Sequence, residues 1–109
     1  WILHSAGFDP TIVVGGRVKT FDGSNALWGK SDIVVAEADE SDGSFLHLPA
    51  TYGVITNIDS DHLDHFGTLD RLQDAFVDFV GHMPFFGVTA VCVDDPGVRN
   101  CLGRFTKPV

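Results

Sequence analysis

Ile33-Val34-Val35-Ala36-Glu37-Ala38-Asp39-Glu40-Ser41-Asp42, residues 33–42, is the stretch from which the fold is read. Its first four residues are apolar and mostly β-branched, with no polar alternation. That pattern suits a strand covered on both faces, as in a parallel sheet. Its last six residues carry four carboxylates, set directly behind that strand. Three more apolar runs have the same character, at residues 11–14, 53–57 and 88–93.

Helical patterns lie between and beyond these runs. Thr68 can cap a helix, with Asp70 in its first turn, where the helix dipole favours a negative charge. Leu69, Leu72, Phe76, Phe79, Val80 and Met83 recur at helical spacing, and Asp70, Arg71, Asp74 and Asp78 take the wet side. Gly81 and Pro84 mark the stop. A second helix is expected from Asp95-Pro96, with Asp95 as N-cap and Val98, Cys101 and Leu102 as its apolar side. Residues 1–7 read as the last turns of a helix closed by Gly7. A chain that opens on the end of a helix is expected to be a fragment. The fold class is therefore α/β, a mostly parallel sheet flanked by helices with right-handed crossovers. In such sheets ligands bind beyond the carboxyl ends of the strands.

Hydrophobic residues make up 44% of the 109 and charged residues 20%, a mix that builds a buried core. The formal charge of -8 argues against binding nucleic acid or an anionic membrane by charge alone. It leaves room for a nucleotide, whose phosphates a metal and backbone N–H groups can hold locally. No apolar run approaches the roughly 20 residues that span a bilayer. Cys92 and Cys101 lack metal-ligand spacing and are expected to be buried, reduced thiols, which suits the cytoplasm.

The four carboxylates of Glu37, Asp39, Glu40 and Asp42 repel one another. A Mg²⁺ ion holding one or two of them, with phosphate oxygens and waters completing its shell, would relieve that repulsion, and Glu37 at the strand's end is best placed to reach it. A solvated acidic loop, with Ser41 or Asp42 capping the next turn, accounts for the cluster equally well. A second cluster follows the run at 53–57: Thr56-Asn57-Ile58-Asp59-Ser60-Asp61-His62-Leu63-Asp64-His65. A His near carboxylates can bind metal, orient a phosphate or carry a proton. His62 is the candidate, whereas His4, His47 and His82 read as ordinary surface or core side chains. Gly15-Gly16 and Gly23-Ser24-Asn25-Ala26 suggest a loop that approaches a ligand or another domain closely, or an ordinary flexible connection. Gly29-Lys30-Ser31 imitates the end of a phosphate-binding loop, but the first glycine is out of register and a strand follows instead of a helix.

Taken together, Ser5-Ala6-Gly7-Phe8-Asp9-Pro10-Thr11, Gly15-Gly16, Ser24-Asn25-Ala26, the run from Glu37 to Leu46, Thr56-Asn57-Ile58, Asp61-His62-Leu63-Asp64, Pro84-Phe85-Phe86-Gly87 and Val93-Asp94-Asp95-Pro96 resemble the central, ATP-binding domain of the Mur ligases, most closely the alanine-adding branch. The resemblance implies that residues 1–109 are part of a P-loop-type central domain, with the P-loop and the N- and C-terminal domains outside them. It implies ATP and Mg²⁺ as cofactors and UDP-N-acetylmuramate and L-alanine as substrates in peptidoglycan precursor synthesis. ATP would phosphorylate the lactyl carboxylate, and the amine of L-alanine would attack the acyl phosphate. It implies Glu37 and His62 as catalytic Mg²⁺ ligands, with Asn57 orienting substrate or phosphate. Asp39, Glu40 and Asp61 would be outer partners of the metal, and Asn25 with the glycine loop would face the muramyl substrate. Such a chain is expected to be inactive alone.

Two rivals come from other classes. Ser60-Asp61-His62-Leu63-Asp64-His65 is similar to the H-x-H-x-D-H motif of metallo-β-lactamase-type hydrolases, with Ser60 where the first His belongs. The other rival is a non-catalytic α/β module whose acidic face keeps it soluble or meets a partner.

Overall fold

A computed structural model describes residues 1–16 and 23–109, with only the backbone at His62. The part of the glycine loop at residues 17–22 lies outside the described residues. The chain divides into two compact units, Trp1–Asp39 and Glu40–Val109.

The first unit opens on α1 (Ile2–Ser5). Gly7 ends it at φ 81°, a left-handed conformation that glycine adopts without steric cost. The Gly7 and Phe8 N–H groups donate to the carbonyls of His4 and Leu3, satisfying the helix's last acceptors as its sequence indicated. Three strands follow: β1 (Thr11–Val13), β2 (Ala26–Leu27) and β3 (Val34–Ala36), in the order β2-β1-β3. β1 and β3 run parallel, with Thr11 opposite Val34 and Val13 opposite Ala36. β2 is antiparallel to β1 and had no signal in the sequence, because two residues are too few to show a period. Gly29 lies hard against the Asp9-Pro10 backbone, and the Ser31 hydroxyl donates to the Asp9 carbonyl. The Gly29-Lys30-Ser31 segment is thus a wrapped connection into β3, as its context indicated.

The second unit holds β4 (Tyr52–Ile55), α2 (Leu63–Phe66), α3 (Leu69–His82), β5 (Val88–Val91) and α4 (Pro96–Cys101). β4 and β5 form a parallel pair, with Ile55 opposite Val91. Thr68 caps α3 by accepting from the Arg71 N–H at 3.3 Å. The helix passes through Gly81 and stops before Met83, whose extended backbone (ψ 152°) is the geometry a following proline imposes. Asp95 caps α4, with Pro96 in its first turn. Phe45, Ile55, Ile58, Phe66, Leu72, Val80, Val98 and Cys101 form the core between the strands and α3 and α4. Burying a side chain such as Leu72 or Val80 contributes roughly 1.5–3 kcal/mol. Gly53 leaves room for the buried Thr89, which donates to the Met83 sulfur.

Two expectations are corrected. Within this chain the strands are not covered on both faces. Along β4 and β5 burial alternates: Gly53, Ile55 and Thr89 face the helices, while Tyr52, Val54 and Val88 are exposed. The runs lacked polar residues, so composition could not reveal that only one face is covered here. Nor are both thiols buried. Cys101 lies in the core, and desolvation pushes its thiol pKa up, whereas Cys92 is exposed just past the end of β5. A thiol reagent is therefore expected to label Cys92 in the folded protein and to spare Cys101 until unfolding, as read by peptide mass spectrometry.

Candidate functional site

Both parallel pairs place chemistry where the strands end. In the first unit, Glu37 follows β3 directly, and its N–H donates to the Val13 carbonyl, extending the ladder by one bond. Its side chain turns toward Gly15, which lies just past β1. The Gly15 N–H donates to Glu37 Oε2 at 2.7 Å. Charge-assisted bonds of this kind are stronger than neutral ones and hold a carboxylate in a fixed orientation. Glu37 is exposed, and its Oε1 receives no hydrogen bond from a described residue. One oxygen is thus anchored and the other is open to a cation, which fits Mg²⁺, an ion that takes one or two carboxylates from protein.

The remaining carboxylates fall in two units. Asp39 closes the first unit and Glu40 opens the second. The Asp42 Oδ1 accepts from the Ser44 N–H at 2.8 Å and starts the 3-10 turn Ser44–His47. Hydrogen bonds from Ser44, first its hydroxyl and then its backbone N–H, hold the Asp42 carboxyl below the ordinary carboxylate range. A depressed carboxyl stabilises the fold above its unfolded pKa, and that contribution is lost as pH falls through the lowered value. Asp42 is therefore engaged by the turn at Ser44, whose N-cap is Gly43, while Glu37 is not.

In the second unit, β4 leads into Asn57, Ile58 and the 3-10 turn Ser60–His62, which continues into α2. The Asn57 side-chain N–H donates to the Thr56 hydroxyl at 3.1 Å, and Asn57 is exposed. Asp59 caps the turn by accepting from the Ser60 N–H, and Asp61 lies in it. His62 closes it, in a different unit from Glu37.

The described residues of the hydrolase motif serve other contacts. Ser60 serves the turn, with its N–H and hydroxyl both directed at Asp59. His65 meets the Phe66 ring edge-on and lies against Gly43, where a Cβ would fall 2.9 Å from Nε2. Among the described residues no three His, Cys, Asp or Glu side chains group as a metal cage. No described helix is long and apolar enough to cross a membrane.

Three structural partners of these loops escaped the sequence reading: Gly15 for Glu37, and Asp95 and Gly97 for Ile58. Ile58 donates to Asp95 Oδ1 at 3.2 Å, and its carbonyl lies hard against Gly97. The glycine pair and the Asp-Asp-Pro run were visible signals, but nothing local tells which distant residue each one meets.

Comparison with known proteins agrees with this layout. The chain is 54% identical over 106 residues to the UDP-N-acetylmuramate–L-alanine ligase of Myxococcus xanthus, covering 97% of the chain and 22% of that protein. A solved UDP-N-acetylmuramate-alanine ligase from Thermotoga maritima superposes with a TM-score of 0.78 at 27% identity, over 92% of the chain and 23% of the other. The UDP-N-acetylmuramate:L-alanyl-gamma-D-glutamyl-meso-diaminopimelate ligase from Neisseria meningitides gives a TM-score of 0.86 at 27% identity, over 100% and 39%. The chain thus spans under a quarter of the length of the curated relative it matches. The Mur ligase middle domain model matches residues 24–108, most of the sequence, and the chain belongs to that family.

Proposed function

We propose that this chain is part of the central domain of an ATP-dependent, amide-forming ligase that joins L-alanine to UDP-N-acetylmuramate in the cytoplasm. On this reading the phosphate-cradling loop and two further domains come from the rest of the polypeptide. The observation that carries the reading is the carboxylate of Glu37, anchored by Gly15 at the carboxyl end of β3, in a chain so similar to an alanine-adding ligase.

Glu37 and His62 would hold Mg²⁺. The ion would supply charge neutralisation as the γ-phosphoryl group moves to the lactyl carboxylate. The chain's own residues position the reactants. Gly15 fixes Glu37 Oε2, so the other oxygen keeps its direction and loses little freedom on binding a cation. Asn57, exposed at the end of β4, offers an amide to a phosphate or substrate oxygen.

The test is amide formation by the full-length polypeptide with ATP, Mg²⁺ and UDP-N-acetylmuramate. L-alanine, glycine, L-serine and the tripeptide L-alanyl-γ-D-glutamyl-meso-diaminopimelate are compared as amines. L-alanine is expected to give the highest kcat/KM, with ADP and phosphate released in step. Preference for the tripeptide would move the chain to the other ligase branch, and no ATP-dependent product with any amine would overturn the reading.

A further inference from the structure

We infer that Asp95 is a positioning residue for the loop that runs from β4 to His62, acting through Ile58. The inference rests on the reading of His62 as a metal ligand.

Ile58 is caught three ways. Its N–H donates to Asp95 Oδ1 at 3.2 Å. Its side chain is 3% exposed, in the same core as Val98 and Cys101. Its carbonyl approaches Gly97 so closely that a Cβ there would lie 2.0 Å from the oxygen. The loops after β4 and β5 are thereby joined twice. The Cys92 N–H donates to the Ile55 carbonyl at 2.9 Å where the strands end, and the Asp95 carboxylate joins the loops again three residues further on.

A helix cap alone does not need the second bond. The same Oδ1 accepts from the Val98 N–H at 2.8 Å, which is the capping bond of α4. The bond to Ile58 reaches across 37 positions of sequence and serves the other loop. Asn57 precedes Ile58 directly, and Asp59 begins the turn that ends at His62. Holding Ile58 therefore sets where Asn57 and the turn that carries His62 start. Outer residues that orient metal ligands typically change affinity or activity by about 10–100-fold when removed.

The two roles separate by substitution in the full-length polypeptide. Asp95→Ser and Asp95→Thr keep a good N-cap, but their single oxygen is one bond shorter and does not span to Ile58. Asp95→Asn keeps the acceptor in place for both bonds. Amide hydrogen exchange is followed at residues 57–62 and in α4, beside the Mg²⁺ concentration giving half-maximal ligation at saturating ATP. With Ser or Thr, exchange at 57–62 is expected to quicken about tenfold while α4 stays protected, and the Mg²⁺ requirement is expected to rise about tenfold. With Asn, both should stay near wild type. Unchanged exchange at 57–62 in both the Ser and Thr variants overturns the inference, as does equal loosening of α4. His62→Ala is run alongside. If it leaves the Mg²⁺ requirement unaltered while Asp95→Ser still loosens 57–62, the metal reading fails and the positioning of Ile58 stands.

Discussion

Glu37→Gln in the full-length polypeptide is expected to lower ATP-dependent amide formation about a hundredfold while leaving the unfolding midpoint nearly unchanged. Glutamine keeps an oxygen that can accept from the Gly15 N–H, so the local geometry at the end of β3 survives. What disappears is a full negative charge at an exposed strand end. A metal ion stabilises transferring phosphoryl charge by several kcal/mol, and weakening its hold by about 3 kcal/mol corresponds to roughly a hundredfold in rate. Raising Mg²⁺ should restore part of the loss. His62→Ala is expected to behave alike, since the second ligand would come from the turn after β4. Steady-state kinetics at limiting and saturating Mg²⁺, with denaturant unfolding as control, decides the matter. Near-normal turnover of both variants at limiting Mg²⁺ would show that the site has been misassigned.

Gly97→Ala should destabilise the fold by about 3 kcal/mol. Helix propensity alone points the other way, since alanine is the better helix former by about 1 kcal/mol. Packing decides the sign. The added Cβ would lie 2.0 Å from the Ile58 carbonyl oxygen and 3.0 Å from its carbon. These are backbone atoms of a buried residue, with no flexible side-chain end to move aside. Relief requires α4 or the β4 loop to shift, and either shift disturbs Val98, which is fully buried. Gly103→Ala makes the contrast, because nothing lies within 4 Å of a Cβ there. Its effect should stay within about 0.5 kcal/mol. Denaturant midpoints of both variants in the full-length polypeptide give the comparison, and equal midpoints would mean that Gly97 is not crowded as described.

The candidate site rests on a simple property of parallel sheets. Strands running the same way deliver their following loops to one end of each pair. Glu37 and Gly15 meet after β3 and β1, and Ile58 and Asp95 meet after β4 and β5. Backbone donors and a capping carboxylate carry these meetings, so Glu37 and Ile58 are held by groups that do not themselves need to touch a substrate. The Asp74–Arg104 ion pair, by contrast, is exposed on both sides, and solvent screening leaves it little to contribute.

The local features were legible in the amino-acid order. Thr68 and Asp95 cap helices, Gly7 takes the left-handed turn, and four apolar runs become strands with Glu37 immediately behind one of them. Each of these depends on neighbours one to four residues away, so the side chains present suffice to specify them. Only the tertiary structure decided the antiparallel β2, the exposure of Cys92, the one-sided burial of β4 and β5, and the burial of Gln73 in α3. It also decided that Gly15 orients Glu37 across 22 positions and that Asp95 holds Ile58 across 37. A backbone N–H is the same donor at every position. Which carboxylate it meets is therefore set by strand pairing and packing, and not by the identity of the residue that carries it.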